Sequence, residues 1–216
     1  MGEIGSASLA TLFALADSRL PIGGHVHSGG VEEAIASGVV RDVVTVELYL
    51  RRRIRTSGLV AASLAAAVCA GALTPERAEA EADARTPSPA ARTASRAQGR
   101  GLLRLSKQLW PHHDWAAVGP RPHLSTVFGM VGAACLVTPQ EIAGVVVYTT
   151  LTGAATAAQR LLALDPAAIA ACTVRLADLC DRTAADAVDD LACLSDPLQD
   201  VLAQRHLHRD MPLFAS

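Results

Sequence analysis

Aromatic side chains are nearly missing: two Trp, two Tyr and three Phe make up 3% of 216 residues. Lysine is rarer still, with Lys107 alone beside 18 arginines, which together with 42 alanines reads as a coding bias rather than a functional signal. No excess of positive charge is present. The formal net charge is −2 and the pI is near 6.4, so there is no global field to hold nucleic acid or an anionic membrane. The five cysteines (Cys69, Cys135, Cys172, Cys180 and Cys193) are odd in number, widely spaced and without a C-x-x-C pair. That excludes a disulfide framework and a zinc knuckle, and it fits reduced thiols in a cytoplasmic protein.

What is present favours helix. Half of the chain is apolar and only 19% is charged, enough to bury a sizeable core in one domain. Alanine supplies the best helix former. Four helix starts share one form, a small polar cap followed by proline: Thr74-Pro75, Thr138-Pro139, Asp165-Pro166 and Asp196-Pro197. Thr138 and Glu141 complete a capping box. Val43, Val46, Leu50 and Ile54 fall on one helical face, with Glu47, Arg51, Arg52 and Arg55 on the other. Leu102, Leu105 and Leu109 repeat the pattern, and Ile142 to Leu164 is apolar nearly all round, as in a central buried helix. Sustained alternation of period two is absent. The reading is all-α, a single domain over residues 1–216 of roughly eight to ten helices, with a loosely held tail over 204–216.

Ile4 to Ala16 is apolar, but Glu3 stands where a signal peptide needs positive charge, so a first core helix is expected. Thr56 to Pro75 is uncharged and long enough to span a bilayer. Its Ala, Ser, Thr and Gly content instead predicts a helix buried among helices. The small residues Gly129, Gly132, Ala133, Gly144, Gly153, Ala154 and Ala157 are expected where helix axes approach closely. Ala84 to Ala91 reads as an exposed loop.

Candidate chemistry is sparse. Asp17 to Gly30 carries four glycines and Pro21 between two apolar segments, a structured turn that ordinary residues could not adopt. His25 and His27 within it could offer imidazoles to a metal, but an i, i+2 pair without a third ligand nearby is little to build on. Arg92, Arg96, Arg100 and Arg104 lie four apart and predict a cationic stripe on one helix. No aromatic residue interleaves, so a solvated face or an acidic protein partner is favoured over nucleic acid. Eight aspartates between Asp165 and Asp200 suggest a wet face, not a calcium loop. His112-His113-Asp114 lacks a nucleophile elbow. An all-α binding or adaptor protein therefore leads over an enzyme.

Ordered motifs then resemble a known family. Leu15 to Gly23 (Leu-Ala-Asp-Ser-Arg-Leu-Pro-Ile-Gly), followed by His27-Ser28-Gly29-Gly30-Val31-Glu32, resembles the N-terminal signature of the UreF urease accessory proteins. Ser95 to Arg100, Gln159 to Leu164, Ser195-Asp196-Pro197-Leu198, and His206 with Leu213-Phe214-Ala215-Ser216 extend the similarity over about residues 8 to 216. The chain departs from the pattern at His25 and Val26, where the family often has an aromatic and a small polar residue, and at Pro212, where it often has Arg. The resemblance implies a non-catalytic, dimer-forming, cytoplasmic scaffold. It would link a nickel-carrying GTPase, UreG, to UreD (also called UreH) and apo-urease, so that nickel reaches the urease active site. Nickel and GTP would belong to the partners, and this chain would hold no cofactor of its own. On this reading Leu213, Phe214, His206 and Arg209 dock on the UreD-type protein. Arg96 and Arg100, with the loop residues Asp17, Pro21, Gly23 and His27, serve dimer or GTPase contacts, and Gln159 and Arg160 are dimer-contact candidates. The rival reading is a small helical nickel-binding protein or metalloenzyme built on His25 and His27.

Overall fold

The computed structural model describes residues 8–194, 196–209 and 212–214, with His25 described by its backbone only. Among these residues there is no strand, and the fold is all-α. Ser8 accepts from Thr11 N–H to start α1 (Leu9–Ala16), while the expected start at Ile4 lies outside the described residues. A 3₁₀ turn (Gly24–Val26) precedes α2 (Val31–Ala36). Next come α3 (Val43–Arg53), a π turn (Ile54–Gly58) and α4 (Leu59–Cys69), which form one continuous rod. The chain continues through α5 (Pro75–Arg85), α6 (Pro89–Leu109), α7 (Leu124–Cys135) and α8 (Pro139–Leu162). It ends with α9 (Pro166–Arg175), α10 (Ala177–Asp186) and α11 (Pro197–His206). With α3 to α4 taken as one rod, ten helical rods are described.

All four proline starts fall where the sequence puts them, each with its polar cap accepting a backbone N–H. Thr138 and Glu141 close the capping box. The fifth start, Ser88-Pro89, corrects the expected loop over Ala84 to Ala91. Only residues 86–88 connect α5 to α6, and Ser88 is buried, its N–H donating to Asp200 Oδ1 at 3.3 Å. Leu109 is a second correction. Leu102 and Leu103 are buried, but Leu109, on nearly the same face as Leu102, is exposed as the last residue of α6.

α8 is the central element and packs against α1, α2, α3, α4, α7, α9 and α10. α4 lies along both α7 and α8, so the uncharged run from Thr56 becomes a buried helix, as its small side chains predict. No helix among the described residues is long and apolar enough to cross a membrane. Gly129 and Gly132 explain how α7 comes so near. A Cβ at Gly129 would stand 2.6 Å from Ala65 O, and one at Gly132 would stand 2.8 Å from Cys69 Sγ. Gly153 has open space instead, so close approach is not its purpose. Trp115 is one of the few buried rings, and its Nε1–H donates to Trp110 O at 2.8 Å.

Candidate partner-binding site

Four of the sequence-predicted positions, His206, Arg209, Leu213 and Phe214, come together around a buried acid that sequence reasoning missed. α2 packs between α8 and α11, which carries Glu32 and Glu33 out of solvent. Glu32 is 3% exposed. Its carboxylate accepts from Leu213 N–H at 2.8 Å and from Phe214 N–H at 3.1 Å, and Arg209 Nε stands 3.4 Å away. Glu33 faces Arg205 Nε at 3.1 Å and Arg209 Nη1 at 3.3 Å. His206, also buried, donates Nε2–H to Phe214 O at 3.1 Å, while Nδ1 stands 3.8 Å from Glu32 Oε2. The Phe214 ring is buried with Arg160 Cζ 5.6 Å from its centroid, a cation–π contact.

This corrects the picture of residues 204–216 as a loose arm, as far as they are described. Residues 204–206 belong to α11, and Phe214 is anchored on this chain's own α2. Residues 210, 211, 215 and 216 lie outside the described residues. Leu213 is the member that faces solvent, at 78% exposed. The signal that could have located the cluster was Glu32-Glu33 directly after Gly29-Gly30, since Gly29 and Gly30 both adopt positive φ and turn the chain inward there.

The N-terminal loop adopts the expected special backbone, with Gly23 at φ 79°. Asp17 pairs with Arg19 at 2.5 Å, and that hydrogen bond holds its carboxyl at about 2. Pro21 is exposed and His27 half-buried. The side chain of His25, the other imidazole of the metal reading, lies outside the described residues. Asp17, His27, Arg160 and Phe214 all border one cavity of about 390 Å³ between the loop, α6, α8 and α11. Gln159 is half-buried, and its carbonyl receives Leu164 N–H at the end of α8.

The cationic stripe is not one solvated face. Positions four apart advance by about 40° on an α-helix, so Arg92 and Arg104 point in different directions. Arg96 donates to Asp83 Oδ2 at 2.8 Å and Arg92 lies 3.7 Å from Oδ1, whereas Arg100 and Arg104 are exposed. Asp83 also meets His123 Nε2 at 3.1 Å, and His123 Nδ1 meets Ser95 Oγ at 3.0 Å. Asp83 is held at about 2, chiefly by Arg96, and burial pushes His123 below its ordinary value despite that carboxylate. Ser95 Oγ accepts from Leu124 N–H at 3.2 Å, so this Ser–His–Asp chain clamps α5, α6 and α7 together. Asp196 is the exception among the aspartates. It is buried and gripped by Arg52 through two bonds of 2.7 and 2.6 Å.

Comparison with known proteins agrees with these motifs. The UreF family profile matches residues 40–177. A Mycobacterium sp. (strain JLS) protein named urease accessory protein UreF is 66% identical over 209 residues, covering 97% of this chain and 99% of the relative. Proteins of the same name from Mycolicibacterium vanbaalenii and Mycobacterium marinum are 63% and 60% identical over 97% of this chain, covering 100% and 99% of their own lengths. The chain belongs to the UreF family.

Proposed function

We infer that this protein is a non-catalytic urease maturation factor. It acts in the cytoplasm as a homodimeric adaptor that joins a UreG-type GTPase to a UreD/UreH-type protein and apo-urease, so that nickel, the cargo, is inserted into urease. The observation that carries this reading is the match to proteins named urease accessory protein UreF over nearly the whole of both chains. Its exposed apolar side chains support it, because an adaptor works through faces that partners cover. Leu9 and Phe13, one helical turn apart on α1, are 64% and 66% exposed, and α1 packs on α8, which carries Gln159 and Arg160. These residues are assigned to the dimer contact. Exposed Leu213 is assigned to the UreD-type partner, with buried Phe214, Arg209 and His206 holding the tail in place. Exposed Arg100, with the Asp17 to His27 loop, is assigned to the GTPase, and Arg96 supports that face from its pair with Asp83.

Co-expression with the three partners, followed by affinity capture and measurement of nickel in the urease, tests the reading. Wild type is expected to capture the UreD-type protein and to raise nickel occupancy, and Leu213→Asp to lose that capture with the fold intact. Undiminished capture by Leu213→Asp removes the tail from the interface. Full urease nickel loading in the absence of this protein removes the function itself. A point substitution is cleaner than truncation at Ala203, which also deletes His206 and strips Glu32 of its donors.

A further inference from the structure

The solvent side of α3 is where the sequence puts charge, yet it carries two large apolar side chains. Val44 and Leu48, one helical turn apart, are 69% and 60% exposed. Leu48, Val39 from the link between α2 and α3, and Leu198 of α11 form the apolar walls of an open groove of about 460 Å³. Arg51, Arg52 and Arg55 complete its rim, and no carboxylate lines it. On a helix these three arginines fall within about 60° of Leu48, so apolar patch and cations share one face. From Val44 to Arg55 that face runs about 16 Å, roughly three helical turns. The cations keep charge to spare. Arg52 is held by Asp196, and Arg51 has Glu47 at 3.3 Å, but that same Glu47 carboxylate also accepts two hydrogen bonds from Arg175. Arg55 is exposed and in no ion pair among the described residues. Arg51, Arg52, Arg55 and Arg175 therefore share only Glu47 and Asp196, and this side stays positive on a chain whose total charge is −2.

The occupant follows from these requirements. Covering Val44 and Leu48 supplies affinity, while exposed cations select the sign of the partner more than they strengthen it. The partner must bring apolar side chains at helical spacing to meet the Val44–Leu48 row, and carboxylates to meet Arg51 and Arg55. This chain's own acidic helices, α5 and α10, expose no large apolar side chain, so a second copy does not fit. We propose that the α3 groove docks an acidic amphipathic helix of another protein, its leucine-type side chains between Val39, Leu48 and Leu198 and its carboxylates toward Arg51 and Arg55. None of these residues belongs to the faces assigned above to the dimer or to the urease maturation partners. The proposal and those assignments therefore stand or fall separately.

The test is an NMR titration of the ¹⁵N-labelled full chain with a synthetic helical peptide of about 16 residues, leucine along one face and glutamate elsewhere. The Leu48 amide and the Arg55 Nε–H report on the groove. A peptide with lysine in place of glutamate, and one with alanine in place of leucine, serve as comparison probes. The acidic leucine peptide is expected to shift both signals saturably and less tightly as salt rises, with neither comparison peptide binding at the same concentration. Leu48→Asp is expected to weaken it more than about tenfold, since a charge then meets the leucine face. Arg55→Glu is expected to weaken it about fivefold at low salt, with helix content unchanged in both variants. Absence of saturation overturns the proposal, as does equal binding of either comparison peptide or unchanged affinity in folded Leu48→Asp. Shifts centred on Phe13 or Leu213 instead of Leu48 also overturn it. Loss of self-association in Leu48→Asp makes the groove a contact between two copies of this chain, and overturns the proposal in favour of that occupant.

Discussion

A carboxylate as deeply buried as that of Glu32 requires donors, and the tail supplies two backbone N–H groups from Leu213 and Phe214. Hydrogen bonds to a charged acceptor contribute roughly 1.5–3 kcal/mol each. Glu32→Gln keeps one acceptor oxygen and loses the charge, so it is expected to lower stability by about 1–3 kcal/mol in urea unfolding. It should also speed amide exchange at Leu213 and Phe214. His123 sets a pH dependence. Burial lowers its folded pKa below the ordinary 6.5, so the unfolded chain takes up a proton before the native one does. Its contribution is therefore complete above about pH 6.5 and is lost as the pH falls below that value. Asp83, held at about 2 against an ordinary 3.8, adds a second loss as the pH falls from 3.8 towards 2. Being partly exposed, it contributes less than its shift suggests. Stability measured from pH 7.5 to 5 is expected to decline in wild type and to stay flatter in His123→Gln. At this scale the sequence showed which side chains were unusual but not what they touch. His206 and Phe214 were singled out by resemblance and Glu32 stood inside a quoted motif without a role, whereas His123 carries no local signal, because its partners Ser95 and Asp83 come from other helices.

Helix starts were readable because capping is local: the cap, the proline and the N–H it satisfies lie within four residues. Ser88-Pro89 follows the same rule and was passed over because Thr86 and Pro87 before it read as loop. Thr138→Ala is expected to cost about 1 kcal/mol in thermal melting, since the acceptor for the Glu141 N–H goes with the hydroxyl while the Thr138 N–H keeps its bond to Glu141. The contact between α4 and α7 is a different kind of element property. Gly129→Ala places a methyl group against Ala65 O and Val68, and it is expected to destabilise by roughly 1–3 kcal/mol, read by urea unfolding. At the end of α8, Ala163 adopts φ 49°, a left-handed cap normally given to glycine. Ala163→Gly is expected to raise the melting temperature, because the left-handed conformation costs alanine about 1 kcal/mol. The expectation of close helix contact held at Gly129 and Gly132 and failed at Gly153, since composition identifies small residues but not which helix lies opposite.

At the scale of the whole molecule, apolar faces remain that the monomer does not cover. Wild type is expected to sediment as a dimer, and Phe13→Glu, which puts charge on the exposed turn of α1, as a monomer with unchanged helix content. A dimer that persists in Phe13→Glu moves the contact elsewhere. The sequence by itself determined that the chain is helical, where four of its helices begin, that α8 is central, and which family it belongs to, because propensity, capping and periodicity act over a few residues and family motifs are read in order. Only the tertiary structure decided that Phe214 folds back onto Glu32, that half of the arginine stripe is neutralised by Asp83, and that buried Asp196 is gripped by Arg52. Those outcomes depend on which helices meet: Phe214 lies 182 positions from Glu32, and even Arg96, only 13 from Asp83, sits on a different helix, so no local pattern announces either contact.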